Sequence, residues 1–159
     1  MRNRLPVVTI VLSGLLGGCR AERLTGKATD LELVASISTT SVRVGETATL
    51  TFRIRNASTD RIALTFPSSC QVLPYIETAS GTRAYPAAGD WGCYAAITNL
   101  ELAAGEERTI AIEVRGGAPQ PAVTTGVPLQ QGRYHAFALL GQAPDVRERS
   151  NVVEFSVVP

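Results

Sequence analysis

Hydrophobic and polar residues alternate one by one along most of the chain after residue 30. The clearest run is TATLTFRIRN, in which Ala48, Leu50, Phe52 and Ile54 alternate with polar residues. Successive side chains of a β-strand point to opposite faces of a sheet, so this period of two predicts strands with one buried face. Apolar residues at helical spacing are hard to find. The pattern therefore predicts an all-β domain.

Turn-forming residues divide this pattern into short strands. A hairpin is predicted over 47–66, because the turn residues that begin at Asn56 separate two alternating runs. Pro74 lies within another predicted strand and cannot donate to a neighbour, so an edge strand or a bulge is expected there. Residues 116–132 are rich in Pro and Gly and are predicted to be the longest irregular segment. The other strands are predicted at 31–37, 70–78, 83–85, 94–102, 109–115, 134–140 and 152–157.

Short strands separated by frequent turns are typical of an antiparallel immunoglobulin-like β-sandwich, here of about 7–9 strands. An up-and-down barrel is the alternative. The segment LQQGRY, which ends at Tyr134, resembles the tyrosine corner of such sandwiches. In that motif the phenol hydrogen-bonds to the backbone a few residues upstream. This feature favours the sandwich over the barrel.

The beginning of the chain has the features of a secretory signal. Arg2 and Arg4 precede an apolar run of about 12 residues, and a membrane-spanning helix needs roughly 20. The following residues, LGGC, resemble the bacterial lipobox, which implies acylation of Cys19 and cleavage just before it; an ordinary signal peptide is the alternative. Two or more acyl chains hold a protein stably on a membrane. We expect a signal peptide at 1–18, a lipidated N-terminus and flexible tether at 19–29, and the sandwich at 30–159.

These features predict a lipid-anchored protein of the cell envelope. Arg20 follows Cys19, whereas an Asp at that position usually retains a lipoprotein in the inner membrane. We therefore expect the outer membrane, with the domain facing the periplasm, if the cell is Gram-negative.

Charge and composition exclude several kinds of partner and site. The chain has 15 basic and 14 acidic residues, so removal of Arg2 and Arg4 with the signal would leave 13 basic residues and a net charge of −1. A charge near zero does not indicate binding to nucleic acid. One His and one Met exclude most His-rich metal sites and a His/Cys/Met copper centre. No metal and no cofactor are expected.

Two cysteines remain once Cys19 is lipidated. An even pair in an exported protein predicts a disulfide between Cys70 and Cys93. Closing a loop of about 24 residues stabilises a fold by roughly 3 kcal/mol. The alternative, a redox pair or a metal-thiolate site, lacks the C-x-x-C spacing that it usually has.

The motifs of common catalytic sites do not occur in the chain. His135 lies within a predicted strand, where a surface or half-buried position is more frequent than a role as a base. Neither a G-x-S-x-G motif nor a Ser-x-x-Lys pair is present. No catalytic residue is therefore predicted; an enzyme whose site is assembled from ordinary polar residues is the alternative.

Four aromatic residues gather around the predicted disulfide loop: Tyr75, Tyr85, Trp91 and Tyr94. Aromatic side chains lose little conformational entropy on binding and are enriched in protein interfaces. These residues are the candidate partner-binding residues. The alternative is that they pack over one end of the sandwich.

The order of these motifs resembles the BsuPI-type proteinase inhibitor domain over about residues 30–140. This family is named for a bacterial inhibitor of an intracellular serine protease, and the resemblance implies an immunoglobulin-like sandwich. Tyr85 stands where the family often has Trp. Residues 116–132 and the aromatic loop are the two candidate contacts if the domain inhibits. The resemblance rests on Val44, Gly45 and Glu46, on Asn56, Ala57 and Ser58, on Phe66, Ile76, Glu77, Ser80 and Gly81, on Leu102, Ala104, Gly105 and Glu106, and on Gly132, Arg133 and Tyr134.

Taken together, the sequence favours a membrane-anchored envelope lipoprotein whose sandwich is a non-enzymatic protein-binding or structural module. The alternative is a proteinase inhibitor that acts through a loop on an envelope serine protease. The expected partners are the membrane, through the N-terminal lipid, and a protein that could be a protease.

Overall fold

The computed structural model describes residues 30–87, 91–118, 126–141 and 149–159. These residues form eleven strands and no α-helix, so the predicted all-β class is confirmed. The described residues contain no helix that is long and apolar enough to cross a membrane. The predicted signal peptide, Cys19 and the tether lie outside the described residues. The strands are β1 (Leu31–Ile37), β2 (Ser41–Arg43), β3 (Thr47–Asn56), β4 (Ile62–Phe66), β5 (Val72–Thr78), β6 (Arg83–Tyr85), β7 (Thr98–Leu102), β8 (Glu107–Gly116), β9 (Val127–Leu129), β10 (Gly132–Leu140) and β11 (Val153–Val158).

Two sheets face each other across a common core. One has the strand order β1-β3-β8-β9 and the other the order β2-β11-β10-β5-β6. The neighbours β1-β3-β8 and β5-β10-β11 correspond to the A-B-E and C-F-G strands of the immunoglobulin fold. The predicted immunoglobulin-like sandwich is therefore confirmed.

The strand count and the pairing differ in part from the prediction of about 7–9 antiparallel strands. β2 pairs with β11, and β9 with β8, in parallel orientation. Both β2 and β9 are three residues long, too short to show an alternating pattern in the sequence. Each extends a sheet edge, and β9 lies within the segment 116–132 that was predicted to be irregular. Residues 119–125 of that segment lie outside the described residues.

The buried face of each long strand contains the residues that alternation predicts. In β1 and β3 buried and exposed positions alternate, and Leu50 and Phe52 are almost completely buried. The inward residues of both sheets form one continuous apolar cluster, and burial of apolar area is the main stabilising contribution to such a domain. Phe155 of β11 stacks on Tyr134 of β10 within this cluster.

Tyr134 forms the predicted tyrosine corner. Its hydroxyl donates a hydrogen bond to the carbonyl oxygen of Gln130 at 2.8 Å. Burial raises the pKa of Tyr134, because the phenolate would lose hydration in this position. The motif therefore holds the start of β10 against the preceding loop.

β4 and β7 form a separate antiparallel ribbon, and the hairpin predicted over 47–66 is wrong. β3 pairs with β1 and β8, whereas β4 pairs with β7. The reason lies at Asn56, whose side-chain oxygen accepts a bond from the Ser58 N–H and thereby turns the chain out of the sheet. The inner face of the ribbon joins the main core through Ile62, Phe66, Leu100 and Leu102.

Pro74 lies within β5, for which an edge strand or a bulge was predicted. β5 lies between β10 and β6 in the sheet order, so it is not an edge strand over its whole length, whereas the register shift in its pairing with β6 agrees with the predicted bulge. The pairing with β6 reaches only Ile76 and Glu77, with an irregular register between them. At Pro74, β5 therefore has a paired neighbour on the β10 side only, and the missing N–H disrupts no pairing with β6.

Candidate protein-binding site

Two irregular segments run side by side at one end of the β4-β7 ribbon. Residues 67–71 follow β4, and residues 91–97, here called the Tyr94 loop, precede β7. A disulfide joins Cys70 to Cys93, with their Cα atoms 5.5 Å apart. The predicted disulfide is therefore confirmed, and it ties the Tyr94 loop to the neighbouring segment.

Hydrogen bonds next to the disulfide hold the same part of the chain. The Tyr94 N–H donates to the Ser69 hydroxyl oxygen at 2.9 Å, and the Ser69 N–H donates to the Tyr94 carbonyl oxygen at 3.0 Å. The Thr98 hydroxyl donates to the Ser68 carbonyl oxygen at 2.7 Å. The Tyr94 loop and the first residue of β7 are thus held to residues 67–71 by one covalent bond and by three hydrogen bonds.

The backbone of the Tyr94 loop is folded into tight turns. The Cys93 N–H donates to the Trp91 carbonyl oxygen at 2.7 Å, and the Ala96 N–H donates to the Tyr94 carbonyl oxygen at 2.9 Å. Bonds between residues two apart close γ-turns. The strand predicted from Tyr94 is therefore wrong over its first four residues, because these turns replace the extended conformation until β7 begins at Thr98.

Tyr94 and Ile97 project from this fixed backbone into solvent. Each is 79% exposed, whereas the other exposed large hydrophobic residues of the described chain range from 37% to 49%. Scattered exposed hydrophobic residues are ordinary in soluble proteins. Two such residues on a loop with an immobilised backbone offer apolar contact area at a small cost in conformational entropy.

The other three candidate aromatic residues pack against one another. Trp91 contacts Tyr75 and Tyr85 edge-on, with ring centroids 6.0 Å and 5.2 Å apart, and Tyr75 stacks on Phe137 at 5.4 Å. Tyr75 and Phe137 are cross-strand partners on the outer face of the five-stranded sheet. The structure thus separates Tyr94, which is exposed, from the three residues predicted with it.

Arginines cover the outer aromatic residues. The guanidinium of Arg83 lies 4.2 Å from the ring centroid of Tyr75, and that of Arg149 lies 3.9 Å from that of Phe137. Phe137 is only 6% exposed although it faces away from the main core. Sequence reasoning missed Phe137 and both arginines, because alternation assigns a residue to a face without predicting what covers that face.

Ser69 and Ile97 were also missed as site residues. A signal for Ser69 was available, since a disulfide between Cys70 and Cys93 must bring their neighbours Ser69 and Tyr94 together. For Ile97 the sequence offered none, because its exposure follows from the turns of the loop.

The polar surface resembles an ordinary solvated surface. His135 is half-buried, as expected, with its Nε2 3.7 Å from Glu154 Oε1 on the adjacent strand. A shallow depression near the β7-β8 turn contains two carboxylates, and these lie beside arginines in the pairs Arg61–Glu101 and Arg108–Glu106. Among the described residues there is no group of three His, Cys, Asp or Glu side chains that could hold a metal ion.

Solved structures with a partly similar chain path include two enzymes and a small domain. A β-glucosidase from Listeria innocua matches 81% of this chain and 16% of its own, with 18% identity and a TM-score of 0.44. The alkylpurine DNA glycosylase AlkC from Pseudomonas fluorescens matches 82% of this chain and 31% of its own, with 16% identity and a TM-score of 0.45. The CARDB domain of the PF1109 protein from Pyrococcus furiosus matches 81% of this chain and 93% of its own, with 17% identity and a TM-score of 0.45. A search of curated proteins finds no match.

A family model gives the assignment. The model described as "BsuPI: Intracellular proteinase inhibitor" matches residues 35–144, which is more than half of the chain. The matched range runs from β1 through β10 and includes the Tyr94 loop, both cysteines of the disulfide and the tyrosine corner. The chain belongs to the BsuPI family of intracellular proteinase inhibitors.

Proposed function

We propose that this protein is an envelope-anchored proteinase inhibitor that binds a serine peptidase through the Tyr94 loop. The observation that carries the proposal is the exposure of Tyr94 and Ile97 on a backbone fixed by the Cys70–Cys93 disulfide. The sequence first favoured a general binding or structural module, with the inhibitor as the alternative. The family match favours the inhibitor.

The fixed backbone of the Tyr94 loop suits this function. Binding requires loop ordering, which costs about 0.5–1.5 kcal/mol for each immobilised flexible side chain, and more when the backbone must also be ordered. The disulfide and the bonds between Ser69 and Tyr94 have already fixed this backbone. Binding energy from two apolar side chains can therefore contribute directly to affinity.

A non-enzymatic role agrees with the polar surface. The carboxylates beside the β7-β8 turn form ion pairs with arginines, and His135 lies on a sheet face beside a single acid. General acid-base or nucleophilic catalysis needs a nucleophile or base oriented by a third group. The family assignment supports the same conclusion.

The proposed location of the protein is the cell envelope, where lipid on Cys19 would attach it to a membrane. The disulfide supports an oxidising compartment, because cytosolic thiols are normally kept reduced. If the cell is Gram-negative, the lipobox-like segment and Arg20 favour its outer membrane. Replacement Cys19→Ser should move the protein from the membrane to the soluble fraction; protein that stays in the membrane fraction would contradict lipid anchoring.

An inhibition panel tests the activity itself. The full-length protein, extracted in detergent, is titrated against serine peptidases that prefer aromatic, basic and small side chains. We expect saturable 1:1 inhibition of a peptidase with an apolar pocket. If the protein neither inhibits nor binds any member of the panel, the proposed function is wrong.

A further inference from the structure

The inference drawn here rests on the proposed function and concerns how the loop engages its target. We infer that the Tyr94 loop inhibits without being used as a substrate. The Tyr94 side chain enters an apolar pocket of the peptidase that accepts an aromatic ring, while the Tyr94–Ala95 peptide bond is withheld from the nucleophile.

The Tyr94 carbonyl oxygen is already hydrogen-bonded within the protein. Peptide hydrolysis requires the carbonyl oxygen to enter an oxyanion hole, where donors lie about 2.7–3.1 Å away. In this loop the Tyr94 carbonyl oxygen already accepts bonds from the N–H groups of Ser69 at 3.0 Å and Ala96 at 2.9 Å. A carbonyl oxygen has two lone pairs, and both are engaged by the protein's own backbone. The oxyanion hole would have to displace at least one of these donors.

The backbone around the Tyr94–Ala95 peptide bond is turned and not extended. Peptides that add to a sheet edge of a partner bind as extended strands, with backbone hydrogen bonds on both sides. The bond from the Ala96 N–H to the Tyr94 carbonyl closes a tight turn immediately after Tyr94. On the other side, the disulfide and the Tyr94 N–H bond to Ser69 hold the chain. Extension would require several of these interactions to break together.

The Tyr94 side chain is accessible to a partner, although the peptide bond that follows it is held in a turn. Tyr94 is 79% exposed, and its neighbours Ala95 and Ala96 are exposed and small, so they leave space around the ring. Ile97, equally exposed, lies three residues further and can contact the rim of the same pocket. The complementary partner is therefore a peptidase with an apolar pocket for aromatic side chains.

The disulfide determines whether the loop is an inhibitor or a substrate. Once it is reduced, the Tyr94 loop is held to residues 67–71 by hydrogen bonds, each of which contributes only about 1 kcal/mol. The peptide bond after Tyr94 can then extend and be cleaved by a peptidase that prefers aromatic residues. Reduction would thus both remove inhibition and expose the chain to its target.

Cleavage mapping tests this inference. The full-length protein, oxidised or reduced and alkylated, is incubated with chymotrypsin and with subtilisin as probes, and cleavage after Tyr94 is followed by mass spectrometry. We expect the oxidised protein to inhibit at least one probe and to be cleaved after Tyr94 at least 100-fold more slowly than the reduced protein.

A matched pair of variants at Ser69 separates the loss of the hydrogen bond to the Tyr94 carbonyl oxygen from a general loss of the fold. Ser69→Pro removes the N–H that binds the Tyr94 carbonyl, whereas Ser69→Ala removes only the hydroxyl. With the disulfide intact, Ser69→Pro should raise cleavage after Tyr94 at least tenfold over Ser69→Ala. A near-ultraviolet circular dichroism spectrum that matches the parent shows that each variant is folded.

The two proposals fail in different ways. Inhibition accompanied by rapid cleavage after Tyr94 in the oxidised protein, or equal cleavage of both Ser69 variants, overturns the inference and leaves the inhibitory function in place. Absence of inhibition and binding with the intact protein overturns the proposed function and the inference with it.

Discussion

The two ends of the β4-β7 ribbon hold their loops in contrasting ways. At one end the side chain of Asn56 is completely buried. Its amide nitrogen donates to the carbonyl oxygens of Asp60, Leu102 and Ala103 at 2.7, 3.1 and 3.0 Å. At the other end a disulfide joins residues 67–71 to the Tyr94 loop, and the Tyr94 side chain is exposed to solvent.

The contrast indicates where a partner binds. Both ends are fixed, so rigidity does not distinguish them. At the Asn56 end, the buried amide has hydrogen-bond partners for both its nitrogen and its oxygen. The side chains exposed to solvent there are small or polar, such as Thr59 and Ala104. The Tyr94 end leaves two large apolar side chains uncovered. A loop that only connects strands gains nothing from such exposure, and this difference supports a binding role for the Tyr94 end.

Asn56→Ala should have the largest effect on the free energy of unfolding, a loss of about 4 kcal/mol, because carbonyl groups in a largely buried site lose their donor. Urea denaturation measures this loss, and Thr59→Ala, on the exposed part of the same turn, is the control, with a change below about 0.5 kcal/mol. A similar stability for the two variants would show that the Asn56 end is not held by its buried amide.

Removal of the disulfide should have the next largest effect. The double replacement of Cys70 and Cys93 by Ala should lower the free energy of unfolding by about 3 kcal/mol, because the unfolded chain is no longer cross-linked. The same variant should lose most of its inhibition at a temperature where it is still folded. Full inhibition in this variant would mean that the covalent link is not needed to present Tyr94.

Trp91→Ala should cost about 2 kcal/mol in unfolding free energy. The ring is partly buried and contacts two tyrosines, and an aromatic pair contributes about 0.5–1.5 kcal/mol beyond the area it buries. Trp91→Phe should recover part of the loss. Thermal unfolding provides the measurement, and an unchanged midpoint for Trp91→Ala would place Trp91 with Tyr94 as an exposed contact residue.

Tyr94→Ala should have the smallest effect on stability, below about 0.5 kcal/mol, because its side chain is mostly solvated in the free protein. The same denaturation experiment checks this value. A loss comparable to that of Trp91→Ala would show that Tyr94 is a packing residue, and the contrast between the two ends would disappear.

Features that depend on local sequence were predictable, and features that depend on distant partners were not. Alternation identified the buried faces of β1 and β3, and a local motif identified the hydrogen bond of Tyr134 to the upstream backbone, which the structure forms at Gln130. The turn residues at Asn56 were recognised, but their partners are 46 and 47 residues away at Leu102 and Ala103, so the sequence suggested a hairpin where the chain leaves the sheet.

The candidate site shows the same division. Pairing of Cys70 with Cys93 followed from the cysteine count and was correct. The four aromatic residues were grouped by their proximity in sequence, although only three of them pack together. Alternation can predict exposure only for a residue in a strand, and Tyr94 lies in consecutive tight turns that depend on its bonds to Ser69.

The inhibition constant of Tyr94→Ala, measured against the peptidase that the parent protein inhibits most strongly, tests the central claim directly. The matched control is Val34→Ala, which changes an exposed apolar residue on β1 of the four-stranded sheet. Loss of a central aromatic anchor costs about 2 kcal/mol or more, so we expect at least about 30-fold weaker inhibition by Tyr94→Ala and unchanged inhibition by Val34→Ala. Equal inhibition constants for the parent and Tyr94→Ala would contradict the assignment of the Tyr94 loop as the binding site.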